Sequence, residues 1–383
     1  MQWSENMTAV FITTTFDHYL LSSSEEAYKQ LGDGFTFICT KPMPESMLKL
    51  GFTDFSKERP YALNAFESEE NLQKAKELCN NADMVIIGAA PFSFVEQRLI
   101  EDKLTFCFSE RLFKKGIKSL FKPKNAIELY KKHTRFKNNN NYFILCSGYY
   151  APKDFRIIGL KKDKLLRWGY FSETKGINRD FKKDEITILW TGRFVKLKHP
   201  EFALEAAVRL KEENIKFKMN FIGMGPMQEE MQEFINKNNL AENVKILGSM
   251  PTKEVQKNMD NADISLFTSD KREGWGAVVN EAMVGGCAVV ASDAAGSSKS
   301  LIKNGENGFI YHHPNKKEFI GYVLKLAKDE SLREKIGLNA NKTLVNEWNG
   351  VVGMKRLLEI SDAIVNNKKI PSFKEGPCSI AKD

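Results

Sequence analysis

The sequence predicts an α/β protein built from two doubly wound, Rossmann-like domains. Its 383 residues are too many for one typical domain and suit two. Short β-branched runs alternate with helical segments along most of the chain, and residues 171–185 form a polar, charged segment typical of a domain linker. We therefore expect an N-terminal domain over residues 1–172, a C-terminal domain over residues 173–345, and a terminal segment at 346–383.

The N-terminal region has the less regular alternation of strands and helices. Its apolar runs are short, rich in β-branched and aromatic residues, and bounded by polar segments, as strands of a buried parallel sheet are. Five strands are predicted, at residues 9–13, 35–38, 84–87, 104–108 and 142–145.

The C-terminal region repeats the pattern more clearly. Predicted strands lie at residues 186–190, 218–222, 244–247, 262–267 and 287–291. Predicted helices lie at residues 200–213, 226–238 and 252–259, from about 277, after 297, and in two closing segments. Such βα alternation predicts a parallel sheet, whose ligands bind beyond the carboxyl ends of the strands.

Composition limits the class of protein. A hydrophobic content of 42% and a charged content of 28% are ordinary for a globular chain. No secretory signal and no apolar run of about 20 residues is legible, so we expect a cytoplasmic protein without a membrane span. The six cysteines are scattered, without zinc-site spacing, which predicts reduced packing residues and no metal site.

Positive charge is concentrated in residues 103–137, which hold eleven Lys or Arg against two Glu. Residues 111–122 interleave basic and apolar side chains, a pattern typical of segments that lie on an anionic membrane surface. That interpretation predicts peripheral contact with the inner face of the cell membrane. The alternative is a solvated basic face, and the sequence favours neither. No nucleic-acid motif accompanies the charge, so no nucleic-acid partner is expected.

The loop after the first C-terminal strand, residues 191–198, is a candidate anion site. Gly192 allows a tight turn, and Arg193 and Lys198 could close on one anion. Two cations suit a diphosphate. The alternative is an ordinary surface arginine and lysine.

Two glutamates follow a later strand. Glu273 lies on a loop kept open by Gly274 and Gly276, and seven residues separate it from Glu281, about one turn into a predicted helix. This spacing suits a nucleotide sugar, with Glu273 reaching sugar hydroxyls and Glu281 reaching ribose hydroxyls. Alternatively, Glu273 is an ordinary carboxylate at the tip of a loop beside basic neighbours, and Glu281 is an ordinary carboxylate on a helix face.

Taken together, the motifs of residues 191–311 resemble those of glycosyltransferase family 4, which has the GT-B fold of two Rossmann-like domains facing across a cleft. The combination is more specific than any single motif. The matching motifs are Gly192-Arg193 with Lys198, Ile222-Gly-Met-Gly-Pro226, Leu247-Gly248, Ala262-Asp263, Glu273 with Glu281, and Asn304-Gly-Glu-Asn-Gly308-Phe309.

The resemblance implies roles for these residues. Arg193 and Lys198 would hold the donor diphosphate and offset charge on the leaving group, the task of a metal in other transferases. No D-x-D motif is present, and neither metal nor cofactor is expected. Glu273 would bind the donor sugar. The other implied donor contacts are Gly192, Gly223, Ser249, Met250, Gly274, Trp275, Gly276, Ala277, Val278 and Glu281, with Ser249 and Met250 at the base and Glu281 at the ribose.

The first half is similar to bacterial enzymes that build capsular and other surface polysaccharides. The matching segments are Thr15-Phe-Asp-His18-Tyr, residues 35–43, residues 108–116 and residues 166–171. The sequence departs from many members by having Thr13-Thr-Thr15 in place of a glycine-rich loop, and Ser109-Glu110-Arg111 where many members have a histidine.

Two acceptor-side candidates follow from this weaker resemblance. His18 would touch the transferring sugar, or else is structural. Glu110 would act as a base, or else pairs with Arg111 or a lysine.

The resemblance implies a retaining transferase that moves a sugar from a nucleotide diphosphate donor, with UDP as the default, to a glycan or lipid-linked acceptor. It also implies that a final helix around residues 345–366 packs on the first domain. The alternatives are an epimerase or phosphorylase on the same fold, and a non-catalytic sugar-nucleotide scaffold. The intact set of Arg193, Lys198, Glu273 and Glu281 counts against the scaffold.

Overall fold

The computed structural model describes residues 7–114, 116–118, 122–177 and 183–381. It divides into two compact units. The first comprises Met1–Leu48, Phe52–Glu173 and Trp348–Asp383, and the second comprises Lys49–Gly51 and Thr174–Glu347. Residues 178–182 of the predicted linker, and residues 115 and 119–121 of the basic segment, lie outside the described residues.

The first unit contains a parallel sheet of seven strands with the order β3-β2-β1-β4-β5-β6-β7. The strands are β1 (Ala9–Thr13), β2 (Phe35–Cys39), β3 (Ala62–Asn64), β4 (Met84–Ile87), β5 (Thr105–Ser109), β6 (Tyr142–Ser147) and β7 (Leu165–Trp168). The helices are α1 (His18–Leu31), α2 (Glu45–Lys49), α3 (Glu69–Asn81), α4 (Glu96–Ile100), α5 (Pro123–Lys132), α6 (Ala151–Ile157) and, from the end of the chain, α14 (Gly350–Val365). Strand order reverses between β1 and β4, where an open parallel sheet places its ligand crevice.

The second unit contains a parallel sheet of six strands with the order β10-β9-β8-β11-β12-β13. The strands are β8 (Ile186–Thr191), β9 (Phe217–Ile222), β10 (Val244–Gly248), β11 (Ile264–Phe267), β12 (Ala288–Ser292) and β13 (Phe309–Tyr311). The helices are α7 (Pro200–Glu212), α8 (Gln228–Lys237), α9 (Thr252–Asn261), α10 (Val278–Val284), α11 (Gly296–Leu301), α12 (Lys316–Lys328) and α13 (Glu330–Asn346). The predicted alternation of strands and helices around parallel sheets is confirmed.

The strands that the sequence failed to predict are the short ones. β3, β7 and β13 have three, four and three residues, and each lies at an edge of its sheet. A run this short carries almost no periodicity of its own, so its strand conformation depends on pairing with a neighbour.

Helix α14 packs against α1 and against the aromatic rings that end and follow β7, and a glycine permits each close approach. A β-carbon on Gly350 would lie 2.5 Å from the backbone nitrogen of Ser23, and one on Gly353 would lie 3.0 Å from the ring of Phe171. The sequence predicts one helix from residue 345, whereas the structure ends α13 at Asn346 and begins α14 at Gly350. The Asn349 side chain causes the new start, because it accepts a hydrogen bond from the Val352 N–H at 2.9 Å.

A buried arginine closes the end of α3 in the first unit. The Arg98 guanidinium is fully buried and donates to the carbonyl oxygens of Cys79 (2.5 Å), Ala82 (3.1 Å) and Leu104 (2.7 Å). Burial lowers the pKa of Arg98 to about 10, so the group is still charged at neutral pH. This one side chain satisfies the carbonyls where α3 meets the strand β4 and the segment before β5.

We expect Arg98→Met to destabilise the protein strongly, because methionine fills the space but removes the arginine donor from the buried carbonyls of Cys79 and Ala82. The cost should be about 3 kcal/mol, equivalent to a fall in melting temperature of about 6 °C or more. Thermal unfolding of the purified protein measures it. Arg209→Met is the control, because Arg209 is half exposed and pairs with Glu212 on the surface. Equal melting temperatures for the two variants would contradict the prediction.

Candidate functional site

The loops at the carboxyl ends of β8, β9 and β10 are in direct backbone contact. The Gly192 N–H donates to the Ile222 carbonyl at 2.9 Å, and the Gly223 N–H donates to the Gly248 carbonyl at 2.9 Å. A β-carbon on Gly223 would lie 1.9 Å from the Gly192 carbonyl oxygen, and Gly223 has a φ of 139°. Only glycine fits at position 223, so steric contact explains why the motif has a glycine there.

The backbone of Phe194 fixes the position of the neighbouring Arg193. Phe194 is fully buried, its N–H donates to the Met224 carbonyl (2.9 Å), and its carbonyl accepts from the Met227 N–H (3.1 Å). Arg193 itself is exposed, and within the described ranges no acidic side chain forms an ion pair with it. The anchored loop therefore presents an uncompensated guanidinium beside the end of β8.

Lys198 and Glu273 form an ion pair between the Nζ and Oε2 atoms. Their side chains are only 13% and 17% exposed. The Lys198 ammonium also lies 5.6 Å from the centre of the Phe267 ring. The structure thus brings together two residues that are 75 positions apart and that were predicted separately.

A buried hydroxyl holds the backbone of Lys198. Thr268 Oγ1 donates to the Lys198 carbonyl at 2.6 Å and accepts from Trp190 Nε1 at 2.8 Å. Thr268 and Trp190 are almost completely buried. Because Trp190 belongs to β8 and Thr268 follows β11, these bonds tie the lysine loop to two neighbouring strands.

The loop after Glu273 is held by the start of α11. The Gly274 carbonyl accepts from the Gly296 N–H at 3.0 Å, and the Trp275 carbonyl accepts from the Ser297 N–H at 2.8 Å. Gly276 has a φ of 85°, and a β-carbon there would lie 2.6 Å from the Phe267 ring. The backbone is therefore fixed.

Trp275 anchors this loop from within the core. Its indole is 1% exposed, and Nε1 donates to Asn280 Oδ1 at 2.8 Å. The Trp275 side chain therefore cannot contact a donor. Only the Trp275 backbone is available to a ligand.

The remaining predicted donor residues are more open. Glu281 is half-buried in the first turn of α10, and Ala277 and Val278 are half-buried where that helix begins. Ser249 is exposed and Met250 half-buried after β10.

One edge of the second sheet gathers all of these residues. They follow β8, β9, β10 and β11, which are adjacent in the sheet order β10-β9-β8-β11. The carboxyl ends of parallel strands lie at the same edge, so a ligand there can be reached by all four loops.

The first unit contains a cavity of about 840 Å³ at the carboxyl ends of β1, β4 and β5. Glu110 lines it and forms an ion pair with Lys114, one of the alternatives left open by the sequence. Arg111 instead pairs with Asp154 at 3.4 Å. His18, the first residue of α1, is absent from the cavity lining and packs its ring 4.9 Å from that of Phe52.

Sequence analysis missed two residues of this cavity, Asp17 and Tyr170. Burial raises the pKa of the Asp17 carboxyl, and the neighbouring His18 charge and the N–H groups of Tyr19 and Leu20 offset only part of this. Burial also raises the pKa of Tyr170, helped by the charges of Glu110 and Asp17 and a hydrogen bond with Glu110. An aspartate directly before a predicted helix can be recognised from the sequence as a helix N-cap. Its location beside a cavity cannot be recognised in this way, because it depends on how the chain packs.

The described ranges lack two features. No helix in them is long and apolar enough to cross a bilayer. They also contain no group of three His, Cys, Asp or Glu side chains placed to hold a metal ion. The six cysteines are free and buried, as expected for packing residues.

The second unit also matches a known sequence family. Residues 172–343 match the family described as glycosyl transferases group 1. Residues 172–343 are thus similar to the group 1 glycosyl transferases. This match confirms the resemblance that the motifs of residues 191–311 carry.

Curated relatives of the chain include enzymes of surface-polysaccharide synthesis. The amylovoran biosynthesis glycosyltransferase AmsK of Erwinia amylovora is 27% identical over 191 residues, which are 49% of this chain and 47% of AmsK. The uncharacterized glycosyltransferase MJ1069 of Methanocaldococcus jannaschii is 25% identical over 291 residues, covering 69% of this chain and 72% of that protein. The chain thus spans about half of AmsK.

A solved structure extends the likeness to both domains. Anabaena Alr3699/HepE, determined in complex with UDP, has a TM-score of 0.68 at 15% identity, covering 92% of this chain and 99% of the other. The predicted GT-B fold class is therefore confirmed for this chain.

Proposed function

We propose that the chain is a retaining glycosyltransferase that transfers a sugar from a UDP-sugar to a glycan or lipid-linked acceptor in surface-polysaccharide biosynthesis, without a metal. The buried ion pair of Lys198 and Glu273, at the edge where four neighbouring strands end, is the observation that carries the proposal. The group 1 match and the polysaccharide relatives support the reaction class. Retention rests on the resemblance to family 4.

Donor binding would separate Lys198 from Glu273 and give each of them a new partner on the donor. The donor diphosphate offers Lys198 a stronger anion than one carboxylate, and Arg193, with no ion-pair partner among the described residues, adds a second cation. Glu273, released from Lys198, can then accept hydrogen bonds from sugar hydroxyls. As the bond to the sugar breaks, negative charge grows on the diphosphate, and the two cations stabilise that charge.

The backbone geometry explains why the loops can do this without large rearrangement. Bonds to Thr268 hold Lys198, and bonds to Gly296 and Ser297 hold the residues after Glu273. Preorganised groups of this kind contribute more to catalysis than groups that must first be ordered.

A thermal-shift experiment tests the donor site directly. The purified protein is melted with UDP, GDP, ADP and TDP and their common sugars, with EDTA throughout. A ligand present at about 100 times its Kd should stabilise the native state by about 2.7 kcal/mol. We expect a shift with UDP and its sugars. A shift that requires added divalent cation would contradict metal independence, and no shift with any nucleotide would overturn the donor site.

Transfer itself needs a second measurement. Incubation with the UDP-sugar that gives the largest shift and with lipid-linked glycan acceptors should release UDP, and NMR of the product gives its anomeric configuration. Donor binding without transfer to any such acceptor would support the sugar-nucleotide scaffold instead. An inverted product would contradict retention.

We expect Glu281→Ala to weaken donor binding more than it slows turnover, because a ribose contact is made equally before and during transfer. Loss of a hydrogen bond to a charged group should raise the donor KM about tenfold while kcat stays within about threefold. Steady-state kinetics with varied donor measures both constants. Glu229→Ala is the matched control, since Glu229 is an exposed glutamate in the first turn of α8. An unchanged KM in Glu281→Ala would contradict the ribose role.

We also propose that residues 103–137 contact anionic lipid at the inner face of the membrane. On α5, Ile127 and Tyr130 are 54% and 58% exposed, and Lys124 and Lys131, on the same side of the helix, are exposed as well. The protein should sediment with anionic vesicles at low salt, and Ile127→Glu combined with Tyr130→Glu should abolish this. Failure of the unaltered protein to sediment would remove the proposal.

A further inference from the structure

His199 lies directly after Lys198 and makes contacts on both sides of its ring. Its backbone is left-handed, with a φ of 48°, at the start of α7. Nδ1 lies 2.7 Å from Glu201 Oε1, and Nε2 lies 3.4 Å from Asp270 Oδ2. The ring is therefore placed between a carboxylate of α7 and a carboxylate on the loop after β11.

Asp270 connects the lysine loop with the glutamate loop. Its N–H donates to the Leu197 carbonyl at 2.9 Å, and its own carbonyl accepts from the Glu273 N–H at 3.0 Å. The Arg272 guanidinium binds the Asp270 carboxylate, with Nε 2.9 Å from Oδ2. Burial works against ionisation, but the bonds from Arg272 and His199 outweigh it and lower the pKa of Asp270. The carboxylate that faces His199 is thus kept charged.

The surroundings of the His199 ring include a second histidine and an aromatic ring. The His313 ring lies 4.9 Å away, and burial, together with the charge of His199, lowers the pKa of His313. His313 Nε2 and Glu201 Oε2 are buried without a hydrogen-bond partner among the described residues. The His199 side chain is 23% exposed and packs between these polar groups and the Phe202 ring, 5.2 Å away.

We propose that His199 and Asp270 are a positioning pair for Lys198 and Glu273, and that neither touches the substrate. The inference rests on the proposed function. Donor binding replaces the ion pair of Lys198 and Glu273, and this removes one of the side-chain contacts between the two loops. The His199 to Asp270 contact and the Thr268 bond to the Lys198 carbonyl persist.

The contact matters because catalysis depends on small distances. A displacement of about 1 Å in a catalytic group can cost about 100-fold in rate. The pair would hold the Lys198 loop at a fixed distance from Glu273 in the donor-bound state, when those two side chains no longer attract each other directly.

Three substitutions of His199 separate the ring from the backbone. Glycine adopts the left-handed conformation freely, asparagine adopts it more readily than most residues, and alanine does so poorly. If the ring positions Lys198, His199→Gly should lower kcat about tenfold while the donor KM changes less than about threefold. His199→Asn should recover part of the loss. A kcat for His199→Gly equal to that of the unaltered protein would overturn the proposal, since the residue would then be required only for its backbone.

Substitutions at Asp270 and Glu201 identify the partner that acts. Asp270→Asn keeps a hydrogen-bond acceptor for the ring, so it should retain more kcat than Asp270→Ala. Glu201→Gln should leave kcat nearly unchanged, because Glu201 lies on α7 and makes no bond to the glutamate loop in the described structure. If Glu201→Gln lowers kcat as much as His199→Gly does, the assignment to Asp270 is wrong.

The thermal shift with UDP, measured for each variant, distinguishes this inference from the proposed function. Absence of both UDP binding and transfer in the unaltered protein would defeat the proposed function. An active unaltered protein whose Asp270 and His199→Gly variants keep full kcat would defeat only the positioning pair. Variants that still shift with UDP but turn over slowly are the expected result.

Discussion

Lys198→Ala should lower transfer at least about tenfold in kcat/KM, equivalent to about 1.4 kcal/mol of transition-state stabilisation. The loss should appear in kcat, because the charge that Lys198 stabilises grows as the diphosphate leaves. Removing the ammonium also leaves Glu273 as a largely buried carboxylate without its cation, so the site becomes less suited to an anion. Initial rates of UDP release with saturating acceptor measure the effect.

Lys196→Ala is the matched control for this prediction. Lys196 is an exposed lysine on the same short helical turn, two residues before Lys198. The Lys196→Ala variant should therefore keep nearly full activity. Glu273→Ala should also lower kcat/KM at least about tenfold, because it removes the contact with the donor sugar. Because Lys198 and Glu273 touch, the double variant should lose less than the product of the two single losses. Full activity in both single variants would end the assignment.

The sequence predicted the sheet of the second unit well because most of its central strands are buried on both faces. β8, β11 and β12 are nearly continuous apolar runs, which single out strands without knowledge of their partners. β13 is short and lies at the sheet edge, so its conformation depends on pairing with β12. Local pattern thus predicts the central strands and β10, whereas β13 depends on tertiary pairing.

The candidate site shows the same division. Glycines, cations and carboxylates after strands could be found in sequence because parallel topology gathers strand ends. The pairing of Lys198 with Glu273 depends on β8 and β11 being neighbours, and this order cannot be read from spacing. Burial of Trp275 and the location of Asp17 beside a cavity likewise depend on packing.

Gly223→Ala should remove donor binding, which is the second large effect expected. The added methyl group would lie 1.9 Å from the Gly192 carbonyl oxygen and 2.9 Å from its carbon, so the loops after β8 and β9 must separate. The φ of 139° is also unfavourable for alanine. Arg193 follows the displaced Gly192 directly, so a diphosphate would lose one of its two cations together with the fixed geometry of the loop. The UDP-induced thermal shift should disappear.

Gly321→Ala is the matched control for Gly223→Ala. Gly321 lies within α12 with no atom within 4 Å of an added β-carbon, so alanine there should stabilise the helix by about 0.5 to 1 kcal/mol. Both variants exchange glycine for alanine in the same unit, and they differ in the space that the methyl group meets. Loss of UDP binding in Gly223→Ala alone would show that the donor site depends on the contact between the β8 and β9 loops. Normal UDP binding in Gly223→Ala would show that the loops can separate without cost to the site, and the donor would then have to be placed elsewhere on the sheet edge.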